Sequence, residues 1–480
     1  MGRIADEVQA LVIDRAALLA SLRESQQPWD VLVIGGGATG LGIAVDAASR
    51  GLRTALIEAR DFSSGTSSRS TKLIHGGVRY LAQGNVKLVR EALIERARLI
   101  ANAPALVRPL EFIVPCYRPL EREFMRIGLG LYDALAGTRG IGPTRWLSRA
   151  ETMSRLPTVR TEGLDGGVSY WDAQFDDARL AIALMRTACR LGATAINYVR
   201  ADSLRVNAGR IEAVQAVDAE TGERFELRAK VVYNATGVWV DRIRAMADAS
   251  VRPMVALSRG SHIVVDARFL PGKRALMIPK TADGRVLFAI PWLRHLIVGT
   301  TDVPTDDAAW EPQPTPQEID FIVETARGYL HDAIGPDDIT QTFAGLRPLV
   351  AKGTTGATKT LSREHSIVIE QGNLVTITGG KWTTYRRMAV DALEQAARRG
   401  LLKSGACVTE TLRIDVDPAL EAAHTAAESA GAGDAAALLR YRDLARACEQ
   451  ARTVDDVLAR RLRIGLIDRR AAAECSRVLE

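Results

Sequence analysis

The sharpest pattern of apolar and polar positions lies between Asp30 and Glu58. Val31 to Ile34 are continuously apolar, as in a strand buried on both faces, and Thr54-Ala-Leu-Ile57 repeats the pattern before closing on Glu58. Between them Gly35-x-Gly37-x-x-Gly40 interrupts the run and opens a stretch of small residues, so the segment predicts strand, turn, helix and strand. Other helices show in periods of three and four: Val86, Val89, Leu93, Ala97 and Ile100 over 85–101, Leu180 to Leu191, and a stripe of Ile4, Val8, Leu11, Val12, Leu18, Leu19 and Leu22. Phe124 to Leu135 is short and apolar, with Arg122, Arg126 and Arg139 around it. Lys230-Val-Val-Tyr-Asn-Ala-Thr-Gly237 reads as a buried strand running into a turn.

From Ser261 to Thr300 the chain changes character. Short apolar runs at 261–266, 275–279, 285–291 and 295–300, separated by turn residues, predict an antiparallel meander in a sheet distinct from the first. Strand and helix patterns return at 366–377 and 384–399, and from Asp417 onward an Ala-, Arg- and Leu-rich stretch predicts helices. This divides the chain into an N-terminal helix (1–27), a body (28–400) interleaved with a second domain built on a sheet around 255–345, and a mostly helical C-terminal domain (401–480).

The glycine pattern carries chemistry. Gly35 permits a tight turn, Gly37 admits a pyrophosphate to the backbone, and Gly40 lets helix and strand pack closely, so the unpaired amides at the helix start face the phosphates. Glu58 follows at the distance, about 20 residues, expected of a carboxylate that accepts from a ribose hydroxyl. The loop Asp61 to Tyr80 is dense in hydroxyls and glycines, which suits an extended flavin dinucleotide better than a nicotinamide. Asn234-Ala-Thr-Gly237, Gly345-Leu-Arg-Pro348 and Thr378-Gly-Gly-Lys-Trp-Thr-Thr-Tyr385 are further candidate contacts, the last placing glycines where helix amides could stabilise charge on a reduced isoalloxazine.

Composition narrows the partners. At 480 residues, with 47% hydrophobic and 25% charged, the chain is an ordinary globular protein of two or three domains. Val31 to Val45 is too short and glycine-rich to span a bilayer, and Asp6, Glu7 and Asp14 do not suit a signal peptide, so the expectation is a cytoplasmic or peripheral protein. Five cysteines without a CxxC pair and six scattered histidines point to reduced thiols and no metal site. The net charge of +6, with only 5% aromatic residues, argues against nucleic acid and leaves anionic substrates or anionic lipid surfaces.

Taken together, the glycine unit, His75-Gly-Gly-Val-Arg-Tyr-Leu81, Asn234-Ala-Thr-Gly-Val-Trp-Val240, Arg259-Gly-Ser-His-Ile-Val-Val265, Ile297-Val-Gly-Thr-Thr-Asp302, Gly345-Leu-Arg-Pro-Leu349 and Gly379-Gly-Lys-Trp-Thr-Thr-Tyr385 closely resemble the FAD-dependent, quinone-linked sn-glycerol-3-phosphate dehydrogenase family. The resemblance covers residues 28–400 and implies a mixed fold class: an α/β Rossmann-like FAD-binding domain, an α+β substrate domain on an antiparallel sheet, and a helical C-terminal domain. It implies tightly bound, non-covalent FAD, oxidation of sn-glycerol 3-phosphate to dihydroxyacetone phosphate, and electron transfer to a membrane quinone at an anionic membrane surface. A homodimer is compatible with it.

Carried over residue by residue, Gly35, Gly37, Gly40 and Glu58 hold the ADP half, Thr66, Ser67 and Ser68 lie along the diphosphate or near the flavin, and Ala235, Thr236 and Gly237 lie on the adenine side. Gly380 and Thr384 approach the isoalloxazine, while His75, Arg79, Tyr80, Arg347 and Lys381 line the substrate pocket. Arg363 is a further candidate near the phosphate. Trp382 departs from the family, which more often has a smaller aliphatic residue there. A phosphate dianion calls for fixed cations, which Arg79, Arg347 and Lys381 supply. Arginine cannot act as the base that takes the hydroxyl proton; His75 or Lys381 can, with His262 a weaker candidate. An oxygen-using oxidase of glycerol 3-phosphate or of an amino acid, and a flavoprotein scaffold without catalysis, are the competing readings.

Overall fold

The computed structural model describes residues 11–78, 81, 84–281, 284–350, 364–403 and 405–480, without the side chains at 119, 120, 122 and 124. A six-stranded sheet runs in the order Ser366–Glu370, Leu374–Thr378, Ala229–Asn234, Trp29–Ile34, Thr54–Ile57, Thr194–Ile196. All neighbours are parallel except the antiparallel edge strand Ser366–Glu370. The continuous apolar run at 31–34 is explained by burial on both faces. Val31 and Val33 pack under the helices Ala38–Ser49, Asp177–Arg190 and Tyr385–Arg398, while Leu32 and Ile34 face the antiparallel three-stranded sheet Val199–Asn207, Arg210–Asp218, Arg224–Leu227.

The N-terminal helix is shorter than the apolar stripe suggests. It spans Arg15–Arg23, because the Asp14 carboxylate accepts from the Ala17 amide and starts it there; Ile4 and Val8 lie outside the described residues.

The second sheet has ten strands. Its long pair, Val255–Asp266 against Ile339–Val350, and the meander Ala275–Ile278, Leu287–Trp292, His295–Gly299 are antiparallel, as the turn signals indicate. Two long strands from earlier in the chain, Val107–Cys116 and Gly166–Phe175, also belong to it, and Ala275–Ile278 runs parallel to Val107–Cys116. The sheet is therefore mixed and reaches well outside 255–345. Helix Pro316–Arg327 covers one face through Ile322 and Ala326; helices Val86–Asn102 and Pro119–Ala136 cover the other through Leu93, Leu129 and Tyr132.

Helices Pro418–Ala430, Ala435–Glu449 and Arg469–Leu479, each started by an aspartate cap, enclose a separate core around Leu438, Tyr441, Val457 and Leu462. Leu402 and Ile414 pack into the core under the six-stranded sheet, and the first of these helices starts at Pro418.

Candidate cofactor and substrate site

Gly35 ends the central strand with φ +110°, and a Cβ there would lie 2.7 Å from the Ala235 carbonyl oxygen. A Cβ on Gly40 would stand 1.8 Å from the Gly35 carbonyl oxygen, so the helix start meets the strand at backbone contact. This opens a cleft of about 590 Å³ at the carboxyl ends of the parallel strands, lined by Gly35, Gly37, Glu58, Thr66, Ser67, Ala235, Thr236 and Gly237. Ser67 Oγ accepts from the Ala38 amide at 3.0 Å, tying the hydroxyl-rich loop to the helix start. The Glu58 carboxylate accepts the amides of Gly36 (2.6 Å) and Arg60 (2.9 Å), one on each oxygen. Burial raises this carboxyl above the usual range and the amide donors work against it. Glu58 lines the cleft, and a carboxylate can accept more than these two bonds, so a ribose diol could donate to it there.

Four further residues expected at the cofactor lie outside the lining of this cleft. Gly40 is a packing contact behind the turn. Ser68 is buried outside the cleft lining, its carbonyl accepting from Lys72 Nζ (2.8 Å) and Arg463 Nη2 (2.9 Å). Gly380 packs on Met388 and His365, and the Thr384 hydroxyl donates to the Lys381 carbonyl at 3.3 Å; neither lines the cleft.

A second cavity of about 180 Å³ contains His75, Thr71, Arg285, Arg347, Thr300, Thr301, Asp172 and Asp302 in its lining. The Thr66 hydroxyl joins the two sites by donating to the carbonyl of Leu346, the residue before Arg347. Arg347 donates to the Thr301 carbonyl (3.0 Å) and the Thr300 hydroxyl (2.9 Å), and Asp302 lies 3.7 Å away. Its guanidinium crosses the strand at Gly260, where a Cβ would stand 2.2 Å from Nη2. His75 is held through its backbone: its amide donates to Thr383 Oγ1 and its carbonyl accepts from the same hydroxyl, both at 3.2 Å. The adjoining Gly76 amide donates to the Tyr132 hydroxyl (2.7 Å), which donates to Asp172 (2.8 Å), itself paired with Arg96 (2.6 Å).

The sequence-derived pocket set is therefore divided. His75 and Arg347 come together; Lys381 sits at the turn before Trp382–Thr384 and outside the lining of both cavities; Arg79, Tyr80 and Arg363 lie outside the described residues. Sequence reasoning missed Arg285, because an arginine at the start of an apolar strand carries no local sign of facing inward. His262 is buried, stacks on Phe343 at 4.6 Å, and pairs through Nε2 with Thr71 Oγ1 at 3.0 Å. Burial, with Arg347 and Lys72 adding to it, holds its pKa well below the ordinary value, so it is a neutral partner of Thr71.

The chain matches the model of the FAD dependent oxidoreductase family over residues 30–386. The chain belongs to the FAD-dependent oxidoreductase family. The members most like it include the mitochondrial glycerol-3-phosphate dehydrogenases of Arabidopsis thaliana (44% identity over 413 residues, 83% of this chain and 65% of that protein) and Homo sapiens (41% over 406 residues, 82% and 56%). The chain thus spans somewhat over half the length of these relatives. Among solved structures it resembles the glycerol-3-phosphate dehydrogenase from Bacillus halodurans complexed with FAD, with a TM-score of 0.76 and 28% identity over 97% of this chain and 91% of that one. The residues present fit the cofactor of this FAD-dependent oxidoreductase: the glycine turn admits a diphosphate, Glu58 sets a carboxylate in the cleft lining, and Thr66 and Ser67 supply hydroxyls along the cleft.

Proposed function

We propose that the protein oxidises sn-glycerol 3-phosphate to dihydroxyacetone phosphate with FAD and passes the electrons to a membrane quinone. The observation that carries the substrate is that two arginines, Arg285 and Arg347, line a cavity of about 180 Å³ together with His75. A phosphomonoester dianion is matched in charge by two planar, permanently charged forks, whereas an amino-acid carboxylate carries one negative charge and leaves the second cation facing its ammonium group. The names of the relatives support the same substrate.

Bound FAD supplies a two-electron acceptor for the hydride leaving C2 of the substrate. Arg285 and Arg347 fix the phosphate, and Thr300 and Thr301 keep the Arg347 fork in place. The His75 imidazole takes the proton of the C2 hydroxyl, while Thr383 and the Gly76–Tyr132–Asp172 chain set the position of its backbone.

A quinone acceptor stays in the bilayer, so the protein has to work at its surface. Among the described residues no helix is long and apolar enough to cross a membrane. Helix Pro119–Ala136 instead exposes Ile127 (67%) and Leu131 (50%) one turn apart, with Arg126 beside them. An exposed apolar pair next to a base suits peripheral attachment to an anionic leaflet.

Anaerobic titration of the yellow protein tests the proposal. Glycerol 3-phosphate should bleach the flavin while glycerol, glycine and D-alanine leave it oxidised, and short-chain quinones should restore the colour faster than oxygen does. Bleaching by glycine or D-alanine, or stoichiometric hydrogen peroxide from protein that ignores anionic liposomes, would sink it in favour of a soluble oxidase.

A further inference from the structure

The cofactor cleft has a wall that does not come from the nucleotide-binding sheet. Arg60 follows the strand Thr54–Ile57 and Trp239 follows Ala229–Asn234, so the two stand on opposite sides of the central strand and its glycine turn. Trp310 belongs to neither side: it lies between Val303–Thr305 of the ten-stranded sheet and helix Pro316–Arg327. All three line the 590 Å³ cleft.

Their faces are in register. The Trp239 and Trp310 rings stack with centroids 3.8 Å apart and planes 29° apart, and the Arg60 guanidinium lies over the Trp310 ring at 4.5 Å. Trp310 is thus held between an indole and a cation. Two hydrogen bonds fix the segment that carries it: Trp239 Nε1 donates to the Ala308 carbonyl and Arg69 Nη1 to the Trp310 carbonyl, each at 3.0 Å. Arg69 comes from the middle of the hydroxyl-rich loop, so the segment carrying Trp310 is tied to that loop.

We propose that Trp310 is a cofactor-retaining residue. The stack Arg60–Trp310–Trp239 joins residues from both sides of the cleft that Gly35, Gly37 and Glu58 also line, and an adenylate held in that cleft would be released only when the stack parts. The physical argument is that an aromatic pair and a cation–π contact must both be broken for release, while neither touches the second cavity where oxidation takes place. Retention of FAD therefore depends on Trp310, and turnover of the loaded enzyme does not. The inference rests on FAD binding in the cleft and is independent of which substrate is oxidised.

Release of FAD from the holoenzyme, followed as the rise in free-flavin fluorescence after dilution, tests this without any substrate. W310A should lose FAD about tenfold faster than the wild type, R60A by a smaller factor, and W310F, which keeps an aromatic face, close to the wild-type rate. If W310A does not fold or load, R60A and W310F decide. Wild-type release from W310A and R60A, with only a lowered melting temperature of the apoprotein, would make the stack ordinary packing and overturn the proposal. Slower release from W310A would overturn it too, by showing that the rings compete with the cofactor for the cleft.

Discussion

Arg461 and Asp61 are 400 positions apart in the chain, and both guanidinium nitrogens of Arg461 bond the Asp61 carboxylate, Nη2 to Oδ1 at 2.9 Å and Nη1 to Oδ2. Arg460 donates to the same carboxylate at 2.6 Å. Asp61 stands three residues beyond Glu58, so the helical C-terminal unit grips the cofactor loop where it begins. Arg463 grips it again further on, at the Ser68 carbonyl (2.9 Å) and at Asp177 (2.8 Å), which also pairs with Lys72 (2.7 Å). Breaking a buried pair on one side leaves an uncompensated charge, at a cost of about 3–5 kcal/mol. Arg461→Leu should lower the apparent melting temperature by several degrees and weaken FAD retention, measured by thermal melts and by flavin content after gel filtration. Unchanged flavin content would detach this unit from the cofactor site.

The same cluster should make the protein acid-sensitive. Burial alone would raise Asp177, Glu449 and Asp456, but Lys72 and Arg463 at the first, Arg179 and Arg461 at the second, and Arg461 and Arg460 at the third outweigh it, and all three sit below their ordinary values. In the unfolded chain they take up protons at about pH 4, before they do in the folded one. Their stabilisation is therefore complete above about pH 5 and drains away as pH falls through 4. Melts at successive pH values should show this loss, and Glu449→Gln should make the acid limb shallower. An acid limb of the same slope in that variant would remove Glu449 from the account.

In the second cavity, Arg347→Ala and Arg285→Ala should each lower kcat/KM for glycerol 3-phosphate by some 30-fold to several thousand-fold, since loss of one partner of a desolvated charge pair costs about 2–5 kcal/mol. Flavin content should stay constant. Arg347→Lys should recover little of the loss, because a point charge cannot hold both the phosphate and the Thr300 and Thr301 oxygens. Full activity in both alanine variants would move phosphate binding to Lys381 and Arg79.

His75→Asn should slow flavin reduction more than it raises the substrate concentration needed for half-saturation, as measured by anaerobic stopped flow. Proton transfer by a positioned base contributes about 100- to 10,000-fold, so a loss in that range is expected. An unaffected reduction rate would pass the role of base to Lys381.

Glu58→Ala should weaken FAD binding by roughly 10- to 100-fold, the worth of one hydrogen bond to a charged group, about 1.5–3 kcal/mol. Reconstitution of the apoprotein with increasing FAD measures this. Affinity equal to that of the wild type would mean that the carboxylate serves the Gly36 and Arg60 amides alone.

The amino-acid sequence by itself determined the local units: the glycine turn between two buried strands, the meander at 275–299, the helices, and the order of the cofactor segments. Each of these rests on periodicity or turn chemistry that operates within a few residues, and Gly35, Glu58, Ser67 and Gly237 line one cleft. Tertiary structure alone decided which distant side chains share a space. It put Arg285 and Arg347 into the lining of one cavity, left Lys381 outside it, and drew Val107–Cys116 and Gly166–Phe175 into the second sheet. It also buried Arg460, Arg461 and Arg463, which in an Ala- and Arg-rich tail look like a solvated basic face. An arginine has the same local sequence whether it meets water or a carboxylate 400 positions away, so the pairing with Asp61 exists only once the chain has folded.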